Sequence, residues 1–427
     1  MPEPLADWVR DARRRTLDLV ADLDDDQLMG PRLSIVNPLL WEIGHAAWFQ
    51  EKWVLRHARG ERPMRQDGDA LWDSGAIAHD TRWDLPLPRR EETLDYMRSV
   101  HDRVLDLLEA GEADPTFLYF VRYTIFHEDM HDEAFTYTRQ TLSYPPPRLS
   151  RPAEAVAPPG RDSGAPGDVA VEGGMLRLGA EPDGQFVFDN EKWARTVEVQ
   201  PFRMARTALT QAQYADFVDD GGYRRREFWS EDGWLWRAAA GAEHPVYWRR
   251  GDGGWQRRDF DRWVALEPHR PVIHVNWFEA QAYCRWADRR LPTEAEWEAA
   301  ASTAPGGDGK RRFPWGDAPP TPEKANLDGS ALGCVDVDAL PAGDSACGCR
   351  QMLGNVWEWT DTTFLPYPGF VADAYREYSE PWFGTHKVLR GGCWATRGRL
   401  LRNTWRNYYT PDRRDVWAGF RTCAPRE

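Results

Sequence analysis

A chain of 427 residues is too long for one ordinary domain and predicts two or three, with room for a sizeable core. With 54 Lys and Arg against 68 Asp and Glu, the formal net charge of −14 repels nucleic acid and anionic lipid, so small-molecule substrates fit better than a polyanionic partner. No apolar run is long enough to span a bilayer and no apolar segment follows the basic residues of MPEPLADWVRDARRR, which predicts a soluble, cytoplasmic protein with no membrane partner.

Leu5, Trp8, Val9, Ala12, Leu17, Val20 and Leu23 recur at helical spacing and predict a first amphipathic helix. A second follows Asn37-Pro38 in PLLWEIGHAAWFQEKWVLRHARG and closes at Gly60. His45 lies within it on a strip with Trp41, Trp48 and Phe49, the setting of a hydrogen-bonded core histidine. Residues 61–88 read as irregular from their Asp, Gly and Pro punctuation. A third helix is expected from about Glu91 to Leu108. A fourth opens at Asp114-Pro115, an N-cap followed by Pro at the first helical position, and ends before Pro145-Pro146-Pro147. Four such helices predict an up-and-down bundle, in which inward-facing side chains commonly build metal sites.

The fourth helix carries TIFHEDMHDEAF. His127 and His131 are four apart and share a face, close enough to grip one metal ion, although surface helices also carry such pairs. Glu133 leans away from that face and is not counted as a ligand.

Residues 145–168 are rich in Pro, Gly and Ala and predict a linker or surface strap, dividing the chain into domains at 1–144 and 169–427. Beyond it, short alternating runs at Met175–Leu178, Thr196–Val199 and Pro271–Ile273 read as strands. Helices are expected at Gln211–Val218, Phe278–Ala287 and Pro292–Trp297, the last opened by a Thr293/Glu296 capping box. The 23 tryptophans cluster after residue 180 and suggest a loop-rich domain pinned by large side chains. The six cysteines form no paired C-x2-C sets. Cys347-Gly-Cys349 can bind a metal or form a labile disulfide, while reduced loop thiols are the commoner state of such residues in a cytosolic protein. The composition carries no signal for an oligomeric state.

LPTEAEWEAAA (291–301), GNVWEWT (354–360), RGGCW (390–394) and GFRT (419–422) resemble the formylglycine-generating-enzyme/sulfatase-modifying-factor fold, an α+β member of the C-type-lectin-like architecture. WEIGHAAWFQ (41–50) and HEDMHDE (127–133) resemble the DinB-like four-helix bundle. That order of domains is similar to the sulfoxide synthases of ergothioneine and ovothiol biosynthesis and to the related selenoneine synthase. The resemblance implies that His45, His127 and His131 bind one non-haem iron(II), leaving positions for hercynine, a sulfur or selenium donor and O2. It implies oxygen-dependent bond formation from the donor to C2 of the hercynine imidazole, with Tyr367 as proton donor. Asn407 matches a contact to the hercynine head group, and Tyr408 and Phe370 offer aromatic faces to its trimethylammonium or simply pack. Arg82 and Arg413 match arginines that grip a donor carboxylate.

Two positions depart from the γ-glutamylcysteine-using members. Tyr409 stands where those carry an aspartate, and Met130 where many have a glutamine, so both changes surround the substrates. This favours a selenoneine synthase taking a selenosugar. An ergothioneine-type enzyme taking cysteine or γ-glutamylcysteine is the second reading, supported by Arg82 and Arg413, and a binding-only protein the third. A formylglycine generator would need a cysteine pair where Arg406-Asn407 stands, and Cys423 alone is insufficient.

Overall fold

The computed structural model describes residues 5–150, 167–306 and 309–426. These form two compact units, Met1–Arg151 and Pro152–Glu427. The stretch expected as a linker lies mostly outside the described residues. Its two ends belong to structure: Pro145 O accepts from the Arg139 guanidinium, Ser150 bonds to Asp18, and Asp168 opens a strand.

The first unit is a helical bundle of α1 (Leu5–Val20), α2 (Asp25–Met29), α3 (Leu39–Gln50), α4 (Gly68–Trp72), α5 (Arg90–Glu109) and α6 (Pro115–Thr141). Helix α1 packs on α6 and α3 on α5 and α6. Asp114 caps α6 as expected, accepting from Phe117 N–H at 2.9 Å. The second helix differs from expectation. It passes at Glu51–His57 into a π-helical stretch, where the buried Glu51 carboxylate accepts from Tyr96 on α5 and from Met64 N–H. The region expected to be irregular contains α4 and a 3₁₀ turn at His79–Asp84. Tertiary contacts pin α4: the Trp41 indole donates to Leu71 O and that of Trp48 to Asp69.

Charges are buried in pairs. Arg13 and Glu128 meet at 2.8 Å between α1 and α6, with the Thr16 hydroxyl 2.8 Å from both Glu128 and Asp132; burial pushes the Asp132 carboxyl well up in pKa. Arg139, fully buried, forks onto Asp22 and reaches Leu19 O, fastening the end of α6 to the end of α1. Removing one partner of such a pair typically costs about 3–5 kcal/mol, because a charge is left buried and unpaired.

The second unit mixes helices and small sheets. Strands β1 (Asp168–Val171) and β4 (Phe202–Ala205) pair antiparallel, as do β2 (Gly174–Leu178) and β3 (Arg195–Val199), while β5 (Trp248–Gly251), β6 (Gly254–Asp259) and β7 (Arg262–Ala265) form a meander. The largest sheet has the order β10 (Asn407–Tyr409), β9 (Lys387–Arg390), β8 (Trp357–Thr363), β11 (Ala418–Gly419), with β11 parallel to β8. Helices α7 (Gln211–Asp219), α8 (Glu231–Ala239), α9 (Trp277–Trp286) and α10 (Glu294–Ser302) complete it. Two expectations need correction. Pro271–Ile273 is not a strand; its one bridge joins Pro271 to Thr210, since proline at its start cannot donate to a ladder. Helix α8 was masked by its tryptophans and Gly233, and is opened by Ser230, whose hydroxyl accepts from Gly233 N–H.

The expected LPTEAEW segment forms α10 with its capping box, and its acidic residues enter a buried network. Arg390 on β9 bonds both Glu294 and Glu298, Arg406 forks onto Glu294, and Arg421 forks onto Glu358, which also accepts from the Trp297 indole.

His274 is buried between Tyr247 and Trp417, with ring centroids at 4.7 and 4.6 Å. Burial, reinforced by Arg257 and Arg258, pushes its pKa down to about 3. The unfolded chain therefore takes up a proton that the folded one refuses, and stability falls as pH drops from about 6.5 towards 3. Asn accepts the left-handed backbone found here, φ +61°. In His274→Asn, acid-induced loss of stability followed by denaturant unfolding is expected to shrink by on the order of a few kcal/mol relative to the parent; parallel curves would contradict this assignment.

Candidate metal centre

Helices α3 and α6 bring three imidazoles together. His127 and His131, one turn apart on α6, have their Nε2 atoms 3.2 Å apart, and His45 from α3 completes a group whose ligand atoms all lie within 4.8 Å of one another. Among the described residues no other group of three or more such side chains has this arrangement, and Glu133 is not part of it. Aromatic rings fix the planes: Trp41 stacks on His45 at 4.7 Å and Phe49 on His127 at 3.6 Å.

Second partners set which nitrogen points inward. His45 Nδ1 donates to Trp72 O at 2.8 Å, which leaves the lone pair on its Nε2, and His131 Nδ1 donates to the Glu42 carboxylate, which turns its Nε2 inward. The other Glu42 oxygen accepts from Asn37, whose own Oδ1 accepts from Arg82 at 2.6 Å; the Arg82 guanidinium lies 4.0 Å over the Trp41 ring. Burial pushes the Glu42 carboxyl up, but the His131 charge and the bonds from His131 and Asn37 outweigh it and hold the pKa at about 2. Burial, reinforced by His131, drives His45 down to about 3, and burial with repulsion from His131 and His45 takes His127 well below its ordinary range. The site therefore presents His45 and His127 as neutral imidazoles. The nitrogens of the three rings converge on a region that a cation would fill: metal–imidazole bonds of about 2.1 Å meeting near right angles set nitrogens roughly 3 Å apart. An all-imidazole set suits iron, zinc, copper or nickel rather than magnesium or calcium.

Gly44 leaves room for this architecture. A Cβ there would lie 2.3 Å from the Trp72 indole nitrogen, on the residue whose carbonyl orients His45.

The structure places the remaining predicted residues as follows. Arg82 joins the histidine group through Asn37 and Glu42, and Met130 is half-buried beside His131 on α6. In the second unit, Phe364 stacks on Tyr408 at 4.0 Å and packs on Phe383, which meets Phe370 at 5.2 Å. Arg406 lies over both Phe364 and Tyr367, at 4.8 and 4.3 Å, so Tyr367, Phe370 and Tyr408 share one aromatic cluster. Tyr367 is 3% exposed, its hydroxyl has no hydrogen-bond partner among the described residues, and burial pushes its pKa up. Asn407 opens β10 and accepts from Tyr408 N–H. Arg413 lies over the Tyr409 ring at 5.5 Å and forks onto Asp415, so its guanidinium is already engaged by a carboxylate. Asn37, Glu42, Trp72 and Arg406 were not foreseen. Glu42 had a signal, since it lies three residues before His45 and thus on the same side of the helix.

Residues 9–135 match the DinB superfamily, and residues 153–425 match the sulfatase-modifying factor enzyme 1-like domain. A hercynine oxygenase of Mycolicibacterium thermoresistibile is 41% identical over 426 residues, spanning 98% of this chain and 94% of that protein. The hercynine oxygenase of Mycobacterium tuberculosis is 40% identical, spanning 98% of both chains. This chain belongs to the hercynine oxygenase family. A formylglycine-generating enzyme of Thermomonospora curvata is 32% identical over 61% of the chain and 94% of its own length. The hercynine oxygenase family likeness thus runs through both units, and no helix is long and apolar enough to cross a membrane among the described residues.

In this family member, Glu42→Gln keeps an acceptor for His131 but removes its charge. Affinity for a divalent metal, measured by anaerobic chelator competition, is expected to fall about 10–100-fold with the helical signal unchanged. Unchanged affinity would remove Glu42 from the site.

Proposed function

We propose that this protein is a non-haem iron(II) enzyme that uses O2 to join a selenium or sulfur donor to C2 of the hercynine imidazole. The reading is carried by one observation, the convergence of three imidazoles in a chain 41% identical to a hercynine oxygenase. His45, His127 and His131 would hold iron(II), with the Trp72 carbonyl and Glu42 turning Nε2 of His45 and His131 inward. Iron bound there supplies the redox chemistry for O2 and positions for both substrates. For a donor R–XH, the imidazole C2–H and X–H bonds break and C2–X forms. One oxygen atom ends on X and the other leaves as water, so the four electrons taken up by O2 come from bond formation and from oxidation of X.

Tyr367 is the proton donor in this reading. Its burial keeps the phenol neutral at working pH, and its hydroxyl has hydrogen-bonding capacity to spare. Phe370 and Tyr408 offer aromatic faces to the trimethylammonium, and Asn407 an amide to the carboxylate.

For the donor, a selenosugar is favoured. Arg413 is engaged by Asp415 and Arg82 by Asn37, which weakens the argument that these guanidinia await a donor carboxylate. Tyr409 brings a hydroxyl where an ammonium-bearing donor would need an acid, and Met130 offers a polarisable neighbour. The second reading, a thiol amino acid such as cysteine or γ-glutamylcysteine, rests on Arg82 and Arg413, the arginines that match a grip on a donor carboxylate.

Replacing His45, His127 or His131 by Ala is expected to abolish both iron retention and turnover; full activity in any of the three would remove the proposed centre. Tyr367→Phe should keep iron and hercynine binding while slowing or diverting product formation by about 10²–10⁴-fold. Anaerobic enzyme loaded with iron(II) and hercynine, offered selenoglucose, cysteine or γ-glutamylcysteine separately before O2, distinguishes the donors. Preference for a thiol amino acid would overturn the selenosugar reading and leave the iron centre standing.

A further inference from the structure

Of the six cysteines, all among the described residues, five are buried and Cys347 alone is half-exposed. Burial pushes Cys334 and Cys423 up to about 12, which makes them inert. Cys347 stands apart in geometry as well. Gly348 takes a left-handed turn, φ +90°, and a Cβ there would come within 3.3 Å of the Arg206 guanidinium. The turn sets the Cys347 and Cys349 sulfurs 3.8 Å apart.

The loop around them is held at each end. Ser345 N–H donates to Cys349 O at 2.8 Å and Gly348 N–H to Ser345 O at 2.9 Å, while Arg206 donates to Gly348 O and Arg421 to Arg350 O. Ser345 Oγ lies 3.2 Å from the Cys347 sulfur and accepts from Cys349 N–H. Its hydroxyl and the Cys349 thiol are both placed to donate to a Cys347 thiolate. The bond from Cys349, opposed by burial and aided by Ser345, brings Cys347 down to about 6, and the same bond together with burial drives Cys349 well up. Cys347 is thus the half-exposed sulfur with the lowered pKa, its thiol able to donate to Ala300 O at 3.3 Å when protonated, and Cys349 is the buried, adjacent thiol.

We propose that Cys347 and Cys349 form a redox-active dithiol, a modification site at which a hydroperoxide converts the pair to an intramolecular disulfide. The Cys347 thiolate attacks the peroxide, the O–O bond breaks, and the leaving oxygen takes up the proton released when the Cys347 thiol ionised and departs as water or alcohol, giving a sulfenic acid. The Cys349 sulfur then attacks the Cys347 sulfur and expels hydroxide, which takes the Cys349 proton and leaves as water. Two thiols and one hydroperoxide become a disulfide, water and water or alcohol, the two electrons coming from sulfur. The sulfurs must close from 3.8 Å to about 2.05 Å, a displacement within reach of side-chain rotation in a loop whose ends stay pinned.

The test uses the full-length reduced protein with an iron chelator present, so that radical chemistry does not contribute. Limiting hydrogen peroxide is added, remaining thiols are alkylated, and the protein is mapped by mass spectrometry. The expected result is a Cys347–Cys349 linked peptide, reversed by dithiothreitol and formed at least about tenfold faster than oxidation at the other four cysteines. Cys349→Ser should stop at a Cys347 sulfenic acid trapped by dimedone, and Cys347→Ser should yield neither product. Peroxide consumption spread evenly over the cysteines, or a sulfenic acid that persists in the parent protein without a disulfide, would overturn the proposal. The parent protein alone decides this should either variant fold poorly.

Discussion

A buried charge must meet its partner, and this requirement fixes the geometry of both units. In the first, the ionised Glu42 carboxylate on α3 can be accommodated because His131 on α6 and Asn37 satisfy it, so the pairing sets the helices in the one arrangement that also turns His131 inward. Arg13 with Glu128 and Arg139 with Asp22 then lock α6 against α1 along its length. Apolar packing alone would allow the helices to slide; hydrogen-bonded charges do not.

The same requirement explains how much could be read from the sequence. The bundle helices follow from periodicity and caps, and Asp114-Pro115 marks the start of the longest of them. The segments that carry the resemblance in the second unit are mostly its ion-pair network: Glu294 and Glu298 in LPTEAEWEAAA, Glu358 in GNVWEWT, Arg390 in RGGCW and Arg421 in GFRT. In this structure each of these residues has a buried partner, and losing either one would strand the other's charge. The orienting shell of the metal site is less legible. Asn37 reads as a helix boundary and Glu42 as a helix former, and only the meeting of α3 with α6 makes them partners of a histidine some ninety residues away. Helix α4 was hidden for the same reason, since indoles from α3 hold it.

The division of labour among the site residues is uneven. The imidazole group and its supports are determined by contacts internal to the first unit, whereas Met130 and Tyr409 are half-buried and lie outside the buried ion-pair framework. Replacing residues of the second kind leaves no buried charge unpaired. Arg413 illustrates the point from the opposite side: an arginine expected to await a substrate has found a carboxylate two residues away, a contact that a residue pattern does not reveal.

Gly44 and Trp72 occupy one volume. The ring fills the space that even a methyl group at position 44 would need, and the same residue's carbonyl holds His45. The two positions therefore form a single unit of inheritance. A lineage can enlarge residue 44 only after residue 72 has shrunk, while the backbone carbonyl of residue 72, which any residue supplies, must stay where it aims the histidine. The absence of a side chain at position 44 is what lets the indole at position 72 sit against the helix.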